Sequence, residues 1–420
     1  APACEYHESV LGIGRYGAGA RRACAEGVLL KIAASRRWRA IRLQRWPLAV
    51  AVLCVGLALA TALRLGDMHL KRGMGHDEAI SYLAAAGHED EYSLTVVGEG
   101  LAGRWVTAAQ WKSMMVPDGF WGYGRITTGL NHTDNHPPLY FWVLHAWVWL
   151  VGLHLWTGPL LNLILAVTTG IFVFVLGRRV IGDARYAALA AVIWACSYPV
   201  VVTSRMARHY DVFALFAVLF VLVSLRLADR DTRLRVGDTI ALAVLTAACF
   251  LTHYEFVAFA AGTAVLFALS LWRNRRRLLT VLGAMAAGVL LAIALNPGFL
   301  QSFTSQRAQA HGGTLRLFVQ RVDSVRLALQ SFFHYTVPGP EAGFTMHGTA
   351  HSGKYVCLAT FAVLLGLGVA VLLPGVRSRL LRRLRTVRRE TWVFLAFLGV
   401  AAATTLLPYL MFQVPAFATG

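Results

Sequence analysis

Charge is scarce in this chain. Only 15% of its 420 residues are Asp, Glu, Lys or Arg, where soluble domains carry roughly 25%. Acidic residues are the scarcer sign, 21 against 40 basic ones, for a formal net charge of +19. This shortage excludes a soluble enzyme with a polar shell. The apolar content of 57% equally excludes a disordered basic tail. Cysteine is sparse as well: six residues, at 4, 24, 54, 196, 249 and 357, none in the large polar loops. That excludes a disulfide framework or a zinc-type spacing. No glycine-rich phosphate loop and no internal repeat is evident.

Long apolar runs are what the chain has instead. Residues 48–65, 156–177, 186–203, 211–225, 237–252, 256–272, 278–296, 355–373 and 391–411 are nearly free of charge. Most reach the ~17–25 residues that a helix needs to cross a bilayer. The basic residues punctuate these runs rather than line one groove, so no nucleic-acid partner is expected. The fold class is therefore all-α: a polytopic transmembrane helical bundle of about nine spans. Ala58-Leu59-Ala60 has the look of a signal-peptidase site, but more than 40 residues precede the apolar run, so a signal anchor is expected. The start at Ala1 and the end soon after an apolar run suggest a truncated chain.

Charge also gives an orientation. Segments 1–47, 178–185, 226–236, 273–277 and 374–390 hold 27 of the 40 basic residues. The positive-inside rule puts them in the cytoplasm. Nine crossings satisfy this only if 137–153 does not cross. Its Pro137-Pro138 start and its Trp142, Trp147 and Trp149 suit an in-plane or re-entrant helix on the outer face; a true span there is the alternative. The expected organisation is a basic arm at 1–47 and a transmembrane module at 48–296 with an outer loop at 66–136. An outer loop at 297–354 and helices at 355–420 follow.

Four polar stretches fall on the outer side in this arrangement. The first is Gly75-His76-Asp77-Glu78-Ala79, where adjacent carboxylates at a membrane surface need hydration or a cation. On a helix, Asp77 and Glu78 point in different directions, so one can serve a site while the other caps the helix. The second is Asn131-His132-Thr133-Asp134-Asn135-His136-Pro137-Pro138. The third is Ser204-Arg205-Met206-Ala207-Arg208-His209-Tyr210-Asp211, whose arginines suit a phosphate. The fourth, Thr252-His253-Tyr254-Glu255, reads as the polar lining of a cavity. Each has a plain structural alternative: an acidic helix start, a polar turn, arginines snorkelling to headgroups, a hairpin turn. Together they fit chemistry on a lipid-anchored phosphate.

On these residues the chain resembles the GT-C superfamily of membrane glycosyltransferases, in the group of the dolichyl-phosphate-mannose protein mannosyltransferases and the lipid A aminoarabinose transferase. The matching features are His76-Asp77-Glu78-Ala79, His136-Pro137-Pro138-Leu139-Tyr140, Arg178-Arg179, and Ser204 with Ala207-Arg208 and Asp211, in that order across roughly 48–300. The resemblance implies a polyprenyl-phosphate-sugar donor used on the extracytoplasmic side of the cytoplasmic membrane. The acceptor is a glycan, lipid or protein hydroxyl. It implies Asp77, with Glu78 beside it, as the essential carboxylate, and Asp211 as a second acid. Arg205, Arg208 and His136 are the expected phosphate-binding group. His76, His253, Tyr254 and Glu255 are expected to line the substrate pocket. The resemblance fixes no cofactor and allows a divalent cation, Mg or Mn, on Asp77 and Asp211. A transporter or lipid flippase is the competing reading. It would call for ionisable residues at mid-bilayer or broken helices in paired repeats.

Overall fold

A computed structural model describes residues 46–89, 107–133, 136–254, 256–299, 391–396 and 399. The expected N-terminal arm, most of the 297–354 loop and most of the last two predicted spans lie outside these residues. The described elements are helices: α1 (Trp46–Leu70), α2 (His76–Ala86), α3 (Ala108–Met114), α4 (Tyr123–Thr133), α5 (Leu139–Val151), α6 (Thr157–Ile181), α7 (Ala184–Cys196), α8 (Tyr198–Thr203), α9 (Tyr210–Ala228), α10 (Val236–Phe250), α11 (Phe256–Leu271) and α12 (Arg275–Leu295). Among the described residues no strand occurs, and the chain is an all-α membrane bundle.

Among the described residues four helices, α1, α6, α9 and α12, are long and apolar enough to cross a membrane. Their outward surface is greasy: Val55, Leu279 and Leu290 are about two-thirds exposed. Polar groups face inward instead: Asn162 and Thr169 of α6, Thr246 of α10 and Thr263 of α11 are fully buried. Such an arrangement suits lipid outside and packed protein inside, where side-chain polar groups find partners. Thr169, Thr246 and Thr263 each donate to the carbonyl four residues earlier. The shorter apolar helices α7, α10 and α11 have 13, 15 and 16 residues.

The predicted span at 186–203 is broken in two. A proline lacks an amide hydrogen, so the one at position 199 cannot continue the hydrogen-bond ladder of a helix. The chain accordingly leaves α7 at Ser197, whose backbone is extended, and restarts as α8 with proline in the first turn.

Among the described residues, the basic segments 178–185, 226–236 and 273–277 gather at one end of the bundle. Arg178 lies over the Trp46 ring at 4.1 Å. Arg277 donates to the carbonyls of Leu227 and Thr232 at 3.0 and 2.6 Å, meeting the negative end of α9. Arg226 pairs with Asp238 at 3.0 Å, and Arg230 donates to Ser270. The polar stretches gather at the other end. There Leu139 N donates to Leu251 O at 2.9 Å, and Asn131 donates to Asn296 at 2.8 Å. The start of α6 is tied to the same end, since Asn162 donates to Met206 O at 2.6 Å. Both ends of α5 therefore lie on one side of the bundle. A buried cluster of Tyr82, Ala84, Ala85, Ile126, Leu130, Tyr140, Phe141 and Leu144 locks α2, α4 and α5 together there. Each large side chain so buried contributes about 1.5–3 kcal/mol.

Candidate functional site

The site is built on the first turn of α2. Gly75 is its N-cap, in extended backbone, and Asp77 and Glu78 follow at once. Successive residues on a helix lie about 100° apart, so the two carboxylates separate. Glu78 turns inward and has no exposed surface. Lys71 Nζ lies 2.6 Å from each of its oxygens, and the Ala207 amide donates to Oε1 at 3.1 Å. Lys71 also donates to Arg205 O at 2.9 Å. Asp77 turns outward, with its side chain 63% exposed. Its Oδ2 is 3.8 Å from Arg208 Nη2, and its Oδ1 is 3.6 Å from His76 Nδ1.

Arg208 comes from the 204–209 turn between α8 and α9. Asn162 holds that turn by donating to the carbonyls of Met206 and Arg208 at 2.6 and 3.3 Å. Tyr140 Oη reaches Asn162 Oδ1 at 3.5 Å. Tyr82 Oη accepts from Gly158 N at 2.7 Å. Burial and the Glu78 charge both raise the Tyr82 phenol above its ordinary range, so it stays a neutral hydroxyl. Gly158 is required at this contact. A Cβ there would stand 2.8 Å from Tyr82 Oη and 3.0 Å from Ala207 Cα. Arg208 itself is only 9% exposed. It donates to His136 Nε2 at 3.4 Å, and its Nε has no hydrogen-bond partner among the described residues. A guanidinium buried beside an exposed carboxylate is suited to an anionic ligand.

Three imidazoles extend the group. The His209 ring centroid is 5.2 Å from that of His136 and 5.1 Å from that of His253. Phe213 closes the far side of His253 at 5.1 Å. Burial, together with His136, His253 and Arg208, holds His209 well below its ordinary value, so it is neutral.

Asp211 is also buried, at 3% exposure. Its Oδ1 accepts from Ser204 at 3.1 Å, and Arg64 interacts with it electrostatically. Arg64 is anchored in turn by donating to Ala60 O and Ala195 O. A second polar cluster braces the outer helices. Asp118 accepts from Arg125 at 2.7 Å and lies 3.1 Å from His88. Hydrogen bonds from both hold its carboxyl below the ordinary carboxylate range.

The structure brings together Asp77, Arg208, His136 and, through His209, His253. It places other expected residues elsewhere. Glu78 is a buried, fully engaged group rather than an open carboxylate, because Lys71 and Ala207 N occupy it. Asp211 is enclosed with Ser204. Tyr254 packs on Phe299 at 5.2 Å and accepts from Asn296, as part of the α10–α12 core. His76 is largely exposed, its side chain at 77%. The half-buried Arg205 meets Lys71 through its carbonyl. Glu255 and Asp134 lie outside the described residues. Among the described residues no group of three or more His, Cys, Asp or Glu is placed to hold a metal ion. Asp77 faces water beside Arg208 while Asp211 is enclosed with Ser204, so the two do not fit a shared cation site.

Sequence reasoning singled out the stretch that holds His209 but gave no role to Lys71, Tyr82 or Asn162. Asn162 had a signal: it is the one amide inside an otherwise apolar run. Lys71 and Tyr82 had none, since their partners are distant in the chain or in a different helix.

The chain's own pattern then meets known proteins. Residues 135–298 match the family model described as dolichyl-phosphate-mannose-protein mannosyltransferase. The matched stretch contains His136, Asn162, Arg208, His209, Asp211 and His253, and it begins beyond Asp77. It is a family of membrane glycosyltransferases, and it agrees with the resemblance carried by the His-Pro-Pro-Leu and Ala-Arg motifs. Comparisons with curated proteins and with solved structures find no match.

Proposed function

We propose that this chain transfers a sugar from a polyprenyl-phosphate donor to an acceptor hydroxyl on the extracytoplasmic side of the cytoplasmic membrane. The observation that carries the reading is the pairing of exposed Asp77 with buried Arg208 at 3.8 Å. Arg208, aided by His136 and with Arg205 in the same turn, holds the donor phosphate. Charge builds on that phosphate as the bond from the anomeric carbon to its oxygen breaks, and a fixed guanidinium in a dry setting stabilises it. The acceptor oxygen forms the new bond to that carbon and passes its proton to Asp77. His253 lines the pocket from the far side of His209. Positive-inside orientation supports the side: the arginine-rich end faces the cytoplasm and the Asp77 end faces out.

A lateral groove supports a lipid-linked donor. It is lined by Trp142, Val143, Ala146, Trp147, Leu150 and Leu161, holds about 380 Å³, and is almost wholly apolar. Its walls are α5, which follows His136 in the chain, and α6, which carries Asn162. The test is sugar transfer from a panel of polyprenyl-phosphate sugars to added acceptors in proteoliposomes, with wild type, Asp77→Asn and Arg208→Gln compared. Transfer by wild type that both substitutions abolish is the expected result. Transfer undiminished by either substitution overturns the assignment.

A further inference from the structure

We infer that Lys71 and Glu78 form a positioning staple that sets the spacing between Asp77 and Arg208. The inference rests on the reading of Asp77 and Arg208 as the transfer centre, and it assigns to Glu78 a task other than catalysis.

Asp77 and Arg208 are 131 residues apart in sequence, and nothing local aligns them. Each has a neighbour in the staple. Glu78 is next to Asp77, and Ala207 is next to Arg208. Ala207 N donates to Glu78 Oε1 at 3.1 Å. Lys71 Nζ holds both Glu78 oxygens at 2.6 Å and also donates to Arg205 O at 2.9 Å. One ammonium thus joins the loop before α2, the first turn of α2 and the 204–209 turn. Glu78 is completely buried and the Lys71 side chain is 12% exposed, so water competes little for these bonds. A carboxylate buried this deeply needs a paired cation and further donors, and the staple supplies both.

The arrangement divides two adjacent acids between two tasks. Glu78 is spent inside the protein on alignment. Asp77, one residue earlier, is left at the surface opposite the guanidinium. Asn162 and Gly158 hold the same turn from the α6 side, but neither touches α2 at its acidic turn. Beside the Asp77–Arg208 pair itself, the staple ties the carboxylate's own helix start to the arginine's turn. Lys71 and Glu78 are positioning residues, acting through Asp77 and Arg208.

Two measurements on the full chain in proteoliposomes test this. The first is hydrogen exchange of the peptide covering 204–209 and needs no activity. Lys71→Met and Glu78→Ala are expected to speed exchange there by about tenfold or more, with peptides in α10 and α12 unchanged and Lys71→Arg restoring protection. Unchanged exchange at 204–209, or acceleration across the whole bundle, overturns the staple. The second is a double-mutant cycle on sugar transfer. Arg208→Gln is expected to cost less in the Lys71→Met background than in wild type, because the arginine is already misplaced there. Equal costs assign Lys71 a general folding role and overturn the positioning role. If wild type transfers sugar from no donor tried, the reading of the site fails, and the exchange measurement alone decides whether the staple exists.

Discussion

Asp77 and Arg208 face each other at 3.8 Å with opposite burial: the acid's side chain is 63% exposed and the arginine's 10%. The carboxylate is hydrated and accessible to an incoming hydroxyl. The guanidinium is desolvated, so it interacts strongly with any charge brought to it. Acid and cation from two distant helices meet at the mouth of an apolar bundle, and the first prediction concerns this pair.

Asp77→Asn is expected to reduce sugar transfer by a factor of about 10²–10⁴, the usual contribution of a positioned base. Because the side chain is exposed, thermal unfolding should stay within about 0.5 kcal/mol of wild type. Transfer and unfolding measured on the same preparation check it. A folded variant with full activity is the contrary outcome.

Asn162→Ala removes the donor to Met206 O and Arg208 O from a fully buried position. Two carbonyls lose a partner, at a cost of about 1–3 kcal/mol. The unfolding midpoint should drop, and donor KM should rise as the turn loosens. Asn162→Asp is expected to be worse, since a buried carboxylate would face two carbonyl oxygens.

Gly158→Val places a branched side chain against Tyr82 Oη and Ala207. Overpacking of this kind costs about 1–3 kcal/mol. Alanine at 158 is expected to show part of the same loss. Unfolding midpoints of the pair give the order wild type, then Ala, then Val.

Acid is expected to destabilise the site through His209. Burial holds this imidazole well below its ordinary 6.5, with His136, His253 and Arg208 adding to the effect. The unfolded chain takes up a proton near pH 6.5 that the folded chain refuses. Its contribution to stability is therefore complete above 6.5 and falls as the pH drops below it. Unfolding midpoints at about pH 7.5 and pH 5.5 should differ more in wild type than in His209→Asn. An equal acid loss in the two proteins counts against this account.

Orientation has its own check. A reporter fused after Arg277 should report cytoplasm, and one fused after Tyr254 should report the opposite side. The reverse pattern would place Asp77 on the cytoplasmic face.

Much of the bundle was legible in the sequence, because a bilayer demands long charge-poor runs and the runs at 156–177, 211–225 and 278–296 each became one long helix. Pro199 shows the limit of that reading: hydropathy saw one run at 186–203, while the missing amide hydrogen divided it. The site was legible as residue types in order. Carboxylates after the first span, His-Pro-Pro before the next apolar run and paired arginines in a turn all carried signal.

The roles within the site were not legible, for a physical reason. Asp77 and Glu78 have the same chemistry and adjacent numbers, and only the direction of α2 decides which meets water. Lys71 selects Glu78 because the fold brings the 204–209 turn against it. Sequence by itself determined a charge-poor, all-helical membrane chain and the set of polar residues held at one end, since both follow from local composition and period. Tertiary structure decided that Glu78 is buried on Lys71, that Arg208 faces Asp77 and that His136, His209 and His253 converge. Those relations depend on which distant helices pack together, and the sum of all contacts fixes that packing, which no single stretch of sequence contains.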